Sequence, residues 1–114
     1  MTRSDATRLQ DILDACDSIE QHFDRGPDGD PLGDGLVFDA VRARLVEIGE
    51  AVKDIDADLL ATEAQLPWQQ VAGMRDRLAH RYFDTSHAVI AATVRNDLPE
   101  LRSAVQRLVS RTRR

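Results

Sequence analysis

Cysteine is nearly absent: Cys16 is the single one in 114 residues, so no intrachain disulfide can close and stability must come from packing. Aromatic side chains are scarce too, at 4% of the chain. Strands favour aromatic and β-branched residues, so a core drawn mainly from Leu, Val, Ile and Ala suits packed helices. No stretch alternates apolar and polar as a half-buried strand would. No apolar run approaches the roughly 20 residues of a membrane span. The opening Met1-Thr2-Arg3-Ser4-Asp5 lacks the apolar core of a signal peptide, and the expectation is a cytoplasmic protein. No cysteine–histidine group has zinc spacing. The serines lack a Ser-His-Asp context, and the glycines follow no strand that would make them a phosphate-binding loop. A net charge of -5 and a pI of about 5.1 argue against a broad electrostatic grip on nucleic acid and leave room for a local basic site.

What is present reads as one domain, residues 1–114. Leu9, Ile12, Leu13, Cys16, Ile19 and Phe23 recur at steps of three and four, one face of a helix over roughly residues 5 to 24. Cys16 on that stripe reads as a small core residue. Residues 26–35 hold four of the six glycines and two of the four prolines, and read as a surface loop. Phe38, Val41, Leu45, Ile48, Val52, Ile55 and Leu59 then predict a long second helix, roughly 36 to 60, with the seven-residue repeat of bundle packing. Gly49 inside it costs helix propensity, about 1 kcal/mol against alanine, and points to a close helix approach. Pro67 can open a third helix carrying Trp68, Val71, Met74 and Leu78. Asp84 or Thr85 is placed to cap a fourth segment with Val89, Ile90 and Val94, and Asp97-Leu98-Pro99-Glu100 resembles a further helix start. Leu101, Ala104, Val105, Leu108 and Val109 form that helix's inner face. The expected architecture is all-α, a bundle of four or five helices.

Chemistry concentrates in Arg75-Asp76-Arg77-Leu78-Ala79-His80-Arg81-Tyr82. A guanidinium holds a phosphate through paired N–H donors, and an imidazole moves protons near neutral pH. Together they suffice for RNA cleavage without a metal. On an ideal helix Arg75 and Tyr82, seven apart, share a face, whereas Arg75 and His80 diverge by about 140°. To serve one phosphate, either the helix breaks before His80 or two chains contribute. Asp76 stands four residues before His80 and can orient its imidazole or form an ordinary surface pair. Arg102, Arg107, Arg111, Arg113 and Arg114 crowd the C-terminal end. There they form a local basic site or cations placed to suit the helix dipole. His22 and His87 have no partner at suggestive spacing.

The pattern Arg-x4-His-x-Tyr resembles the motif of the HepT toxins of the HEPN ribonuclease superfamily. The resemblance extends to Asp11-Ile12-Leu13-Asp14-Ala15, to Val46-Glu47-Ile48-Gly49-Glu50-Ala51, to the approach from Leu66-Pro67-Trp68 and to Asp97-Leu98-Pro99, spanning roughly residues 9 to 108. One departure is Asp76, where many members carry Asn. A carboxylate there can pair with Arg75 or His80. The resemblance implies a HEPN-like helical homodimer with its active cleft at the interface. It also implies the toxin of a type VII-like toxin–antitoxin pair, acting as a metal-independent endoribonuclease with no cofactor. His80 and Arg75 would be catalytic, with Asp76 in support. The implied antitoxin is an MNT-type nucleotidyltransferase that attaches AMP to the motif tyrosine, here Tyr82. Two other readings stay open on the residues: a non-catalytic module binding a nucleotide or a partner, and a structural partner acting through its second helix.

Overall fold

The computed structural model describes residues 4–26, 28–80 and 87–112, and of residues 79 and 80 the backbone alone. Tyr82, Arg81, Asp84, Thr85, Arg113 and Arg114 therefore lie outside the described residues. Six α-helical segments are present among those described: α1 (Asp5–Arg25), α2 (Gly35–Lys53), α3 (Ala57–Leu60), α4 (Trp68–His80), α5 (His87–Ala92) and α6 (Leu98–Thr112). Short 3₁₀ turns occupy Pro31–Gly33 and Ala61–Glu63, and a π-helical turn occupies Thr93–Asp97. Among the described residues no strand interrupts the all-α bundle expected from composition.

α1 begins where Ser4 accepts the Thr7 backbone N–H at 3.1 Å, satisfying one of the unpaired donors of the first turn. Its stripe of Leu9, Ile12, Cys16 and Ile19 is fully buried and packs on α2 and α6. Cys16 is the small core residue expected. Burial pushes its thiol up to about 11, far from a working nucleophile.

The loop after α1 is the surface segment expected, exposed at residues 28–30 and 33–35, but it carries one inward anchor. It folds back on itself: Gly33 donates its N–H to the Asp30 carbonyl at 3.0 Å, and Leu32 is 1% exposed. Gly26 lies so close to Pro31 that a Cβ there would meet the Pro31 backbone at 2.5 Å. The buried Leu32 side chain ties the segment to the core and contributes roughly 1.5–3 kcal/mol, which offsets part of the cost of ordering the turn.

The second helix is shorter than its apolar spacing predicts. It ends at Lys53, and Asp56 leaves the helical region to cap α3, accepting the Asp58 N–H at 3.0 Å. Aspartate favours such local bonds over helix interior. Ile55 remains buried beyond the break, but the inward place passes from Leu59, partly buried, to Leu60, so the row loses its register where the helix ends. The last part differs in the opposite sense. Asp97-Leu98-Pro99 starts no separate helix. The chain stays helical from residue 87 to 112 and widens into the π turn, with the Leu98 N–H donating to the Thr93 carbonyl. A proline within a helix clashes with the carbonyl four residues earlier, here that of Arg95. The wider turn just ahead of Pro99 moves that carbonyl aside. Ile90 and Val94 face inward as expected, but Val89 is 60% exposed.

Candidate active site

α4 opens after Pro67, whose carbonyl accepts the Val71 N–H at 3.0 Å. It is anchored at its start by Trp68, whose indole N–H donates to the Glu63 carbonyl at 3.0 Å, and near its end by buried Leu78. α4 packs on α2 at the position Gly49 foretold. A Cβ at Gly49 would lie 2.9 Å from the Arg75 backbone nitrogen, 3.0 Å from the Val71 carbonyl oxygen and 3.2 Å from that of Ala72. No larger residue fits without parting the two helices.

That contact brings Glu50 to Arg75. The Arg75 Nε–H donates to Glu50 Oε1 at 3.1 Å, and Nη1 donates to Asp76 Oδ1 at 3.0 Å. The three side chains are half-buried to exposed, at 36%, 55% and 64%. The Glu50 carboxylate, followed by that of Asp76, raises the Arg75 pKa further above its already high value, so the guanidinium is a permanent cation. It carries five N–H donors, and two are engaged. Among the described residues, the Nη2 group and one Nη1 hydrogen have no partner. The question whether Asp76 pairs with Arg75 or His80 is answered on one side: it does accept from Arg75.

The helix does not break before His80. α4 is α-helical through that residue, so positions 75 and 80 stand about 140° apart around its axis. Of the two ways in which one chain's arginine and histidine could reach a common phosphate, the local break is excluded. The side chain of His80 and all of Tyr82 lie outside the described residues.

Among the described residues, Arg77, Arg102, Arg107 and Arg111 are engaged away from Arg75. Arg77 faces away, donating weakly to the Gln70 carbonyl at 3.4 Å, and lines a cleft of about 240 Å³ between α4, the π turn and α6 with Met74, Asp97 and Leu101. Arg102 ties α6 to α1 through Asp17 at 2.6 Å and Glu20 at 2.8 Å. Arg107 and Arg111 converge on Glu63 at 2.7 and 2.6 Å. The described arginines of the C-terminal helix thus act as ties between elements, a role their crowding in sequence did not disclose. His87 packs its ring on Phe38, with centroids 4.4 Å apart. Among the described residues no group of three or more His, Cys, Asp or Glu side chains is placed to hold a metal ion. None of the described helices is long and apolar enough to cross a membrane.

Two functional candidates escaped the reading of the sequence: Glu50 as a partner of Arg75, 25 residues away, and Glu63 as an arginine anchor. For Glu50 the signal available was its neighbour, the helix-interior Gly49. For Glu63 no local signal exists.

An all-helical bundle with a half-exposed arginine on the helix that ends in His80 is the setting that the motif's resemblance requires. The model of the HepT-like ribonuclease family matches residues 12–108, and the chain belongs to that family. It is 36% identical over 108 residues to a "probable ribonuclease HepT" of Thermococcus cleftensis, covering 95% of this chain and 98% of the relative. It is 30% identical over 103 residues to a candidate RNase of Caldanaerobacter subterraneus, covering 90% and 92%. A candidate RNase of Methanocaldococcus jannaschii is 30% identical over 101 residues, covering 89% and 84%. No solved structure matches the chain.

Proposed function

We propose that the protein is a metal-independent endoribonuclease, the toxin of a type VII-like toxin–antitoxin pair, working in the cytoplasm as a homodimer with Arg75 and His80 at the shared cleft. The observation that supports this most directly is the unbroken α4. Since one regular helix directs positions 75 and 80 apart by about 140°, a two-fold axis beside it would bring the Arg75 of one protomer toward the His80 of the other. A two-fold contact is also the commonest oligomer symmetry.

The chemistry then follows. One His80 takes the proton of the ribose 2′-hydroxyl as its oxygen bonds to phosphorus. The P–O5′ bond breaks, and a protonated imidazole supplies the proton to the departing oxygen. Arg75 carries the charge that builds on the equatorial phosphorane oxygens, through the N–H donors that Glu50 and Asp76 leave over. Products are a 2′,3′-cyclic phosphate and a 5′-hydroxyl. An MNT-type nucleotidyltransferase would silence the enzyme by placing AMP on Tyr82. That position lies two residues beyond His80, where added bulk and negative charge would exclude the RNA phosphate.

The test is a cleavage assay on total RNA with EDTA present, comparing the wild type with His80→Ala after intact mass has established that Tyr82 is free of AMP. Cleavage by the wild type alone, leaving cyclic phosphate ends, is expected. Metal-dependent cleavage leaving 5′-phosphates contradicts the mechanism. An unmodified, folded protein that binds nucleotide but leaves RNA intact is a binding module instead. For Tyr82, mass spectrometry after co-expression with the transferase should find AMP on that residue and on no other.

A further inference from the structure

We infer that Glu50 is the positioning residue for Arg75, holding the guanidinium by its Nε–H so that the opposite N–H edge is presented to the RNA phosphate. The inference rests on the ribonuclease reading above and concerns a residue outside the Arg-x4-His-x-Tyr motif.

A free arginine side chain samples many rotamers, worth about 2 kcal/mol of conformational entropy. Catalysis by charge stabilisation requires donors that are already in place before charge develops. Something must therefore fix the Arg75 fork, and the surroundings provide two carboxylates. Asp76 is the next residue on the same helix and 64% exposed, so its bond to Nη1 is a contact within α4. Glu50 comes from α2, across a helix contact made rigid by Gly49, whose missing Cβ lets the backbones meet at 2.9–3.2 Å from where that atom would stand. Its carboxylate meets Nε at 3.1 Å. Glu47, one turn earlier on α2, is engaged with Arg44 at 2.7 Å and does not compete. The bond to Nε is the one that suits the purpose. It sits at the stem of the guanidinium and stops rotation about the last carbon–nitrogen bonds, while Nη2 stays available.

Because arginine is always protonated, the carboxylate is not needed to keep Arg75 charged. What Glu50 supplies is an acceptor at the right reach. Two conservative substitutions separate reach from charge. Glu50→Gln keeps an oxygen at the same distance and loses the charge. Glu50→Asp keeps the charge and loses one methylene of reach. A displacement of about 1 Å can cost on the order of 100-fold in rate.

The experiment uses the AMP-free full chain and a transcript that the wild type cuts, with initial rates measured against RNA concentration. Expected results are a kcat lowered on the order of 10- to 100-fold in Glu50→Ala and on the order of 10-fold in Glu50→Asp. KM should stay within about threefold, and Glu50→Gln should stay within about threefold of the wild type in both constants. Unfolding midpoints should stay together, since both side chains are half-exposed or more; should the alanine variant fail to fold, the Gln and Asp pair decides alone. A wild-type kcat in Glu50→Asp, or Glu50→Gln as impaired as Glu50→Asp, overturns the assignment. Arg75→Ala separates the two levels. If it is inactive while the Glu50 variants are normal, only the positioning role fails. If it is fully active, the catalytic reading of Arg75 fails and the positioning role with it.

Discussion

Two arginine–carboxylate clusters in this small bundle are built as inverses of each other. At Glu63 a single carboxylate, 4% exposed, is clasped by Arg107 and Arg111, which are 50% and 41% exposed. It accepts from Arg107 Nε and Nη2, from Arg111 Nη1 and from Gln65. At Arg75 a single cation is flanked by two exposed carboxylates. The buried carboxylate has its acceptor capacity filled and is screened from solvent. It ties the turn after α3 to α6. The half-exposed guanidinium keeps donors unfilled. The same ion pair chemistry therefore makes a structural tie where the central group is saturated and a candidate site where it is not.

The sharpest way to break this contrast is to alter the fork itself. Arg75→Lys keeps the charge but loses the planar donors, and should lower the rate of RNA cleavage on the order of 100-fold with an unchanged unfolding midpoint. A lysine variant that cuts RNA normally would mean that Arg75 acts as a plain charge. At the other cluster the effect should be on stability and not on rate. Glu63→Gln leaves two arginines facing a neutral amide and should lower the thermal midpoint on the order of 10 °C, measured by circular dichroism, while the folded fraction cuts RNA as before.

The same cluster predicts an acid limb. Hydrogen bonds from Arg107 above all, then from Gln65 and Arg111, hold the Glu63 carboxyl at about 2, below its ordinary 4.5. A folded pKa below the unfolded one means that this stabilisation is complete above pH 4.5 and is lost as pH falls toward 2. The wild type should lose midpoint more steeply than Glu63→Gln across that window, and parallel curves would remove Glu63 from the account.

Gly49→Ala tests how the Arg75 cluster is assembled. Overpacking against the backbone of α4 costs about 1–3 kcal/mol and helix propensity returns about 1 kcal/mol, so stability should fall by up to about 2 kcal/mol while activity falls as Glu50 and Arg75 separate. A variant with full activity would show that the helices can part without consequence. The smallest effect belongs to Arg44→Ala, whose i,i+3 pair with Glu47 is exposed on both sides and should contribute about 0.5 kcal/mol or less, read from denaturant midpoints.

The apolar rows of α1, α2 and α6 announced the all-α bundle, because period and side-chain type are local properties. The low aromatic content pointed the same way. The same rows could not say where helices end. The row through Ile55 and Leu59 crossed a break made by Asp56, and Pro99 was absorbed by a π turn. In both cases a polar or backbone event ended or bent an element that the apolar spacing alone would have carried straight on. Arg75, Asp76, His80 and Tyr82 were legible as a motif because they lie within eight residues, and Gly49 was legible as a close contact because glycine in a helix interior is otherwise unfavourable. What the contact was for could not be read. Glu50 meets Arg75 across 25 residues, and Glu63 meets Arg107 across 44. Such pairs depend on which helices pack and in what register, and a carboxylate on a helix surface looks the same in sequence whether it faces water or a guanidinium. Sequence alone determined the helices, the core and the reactive residue types. Tertiary packing decided which charges became ties between elements and which carboxylates came to face Arg75.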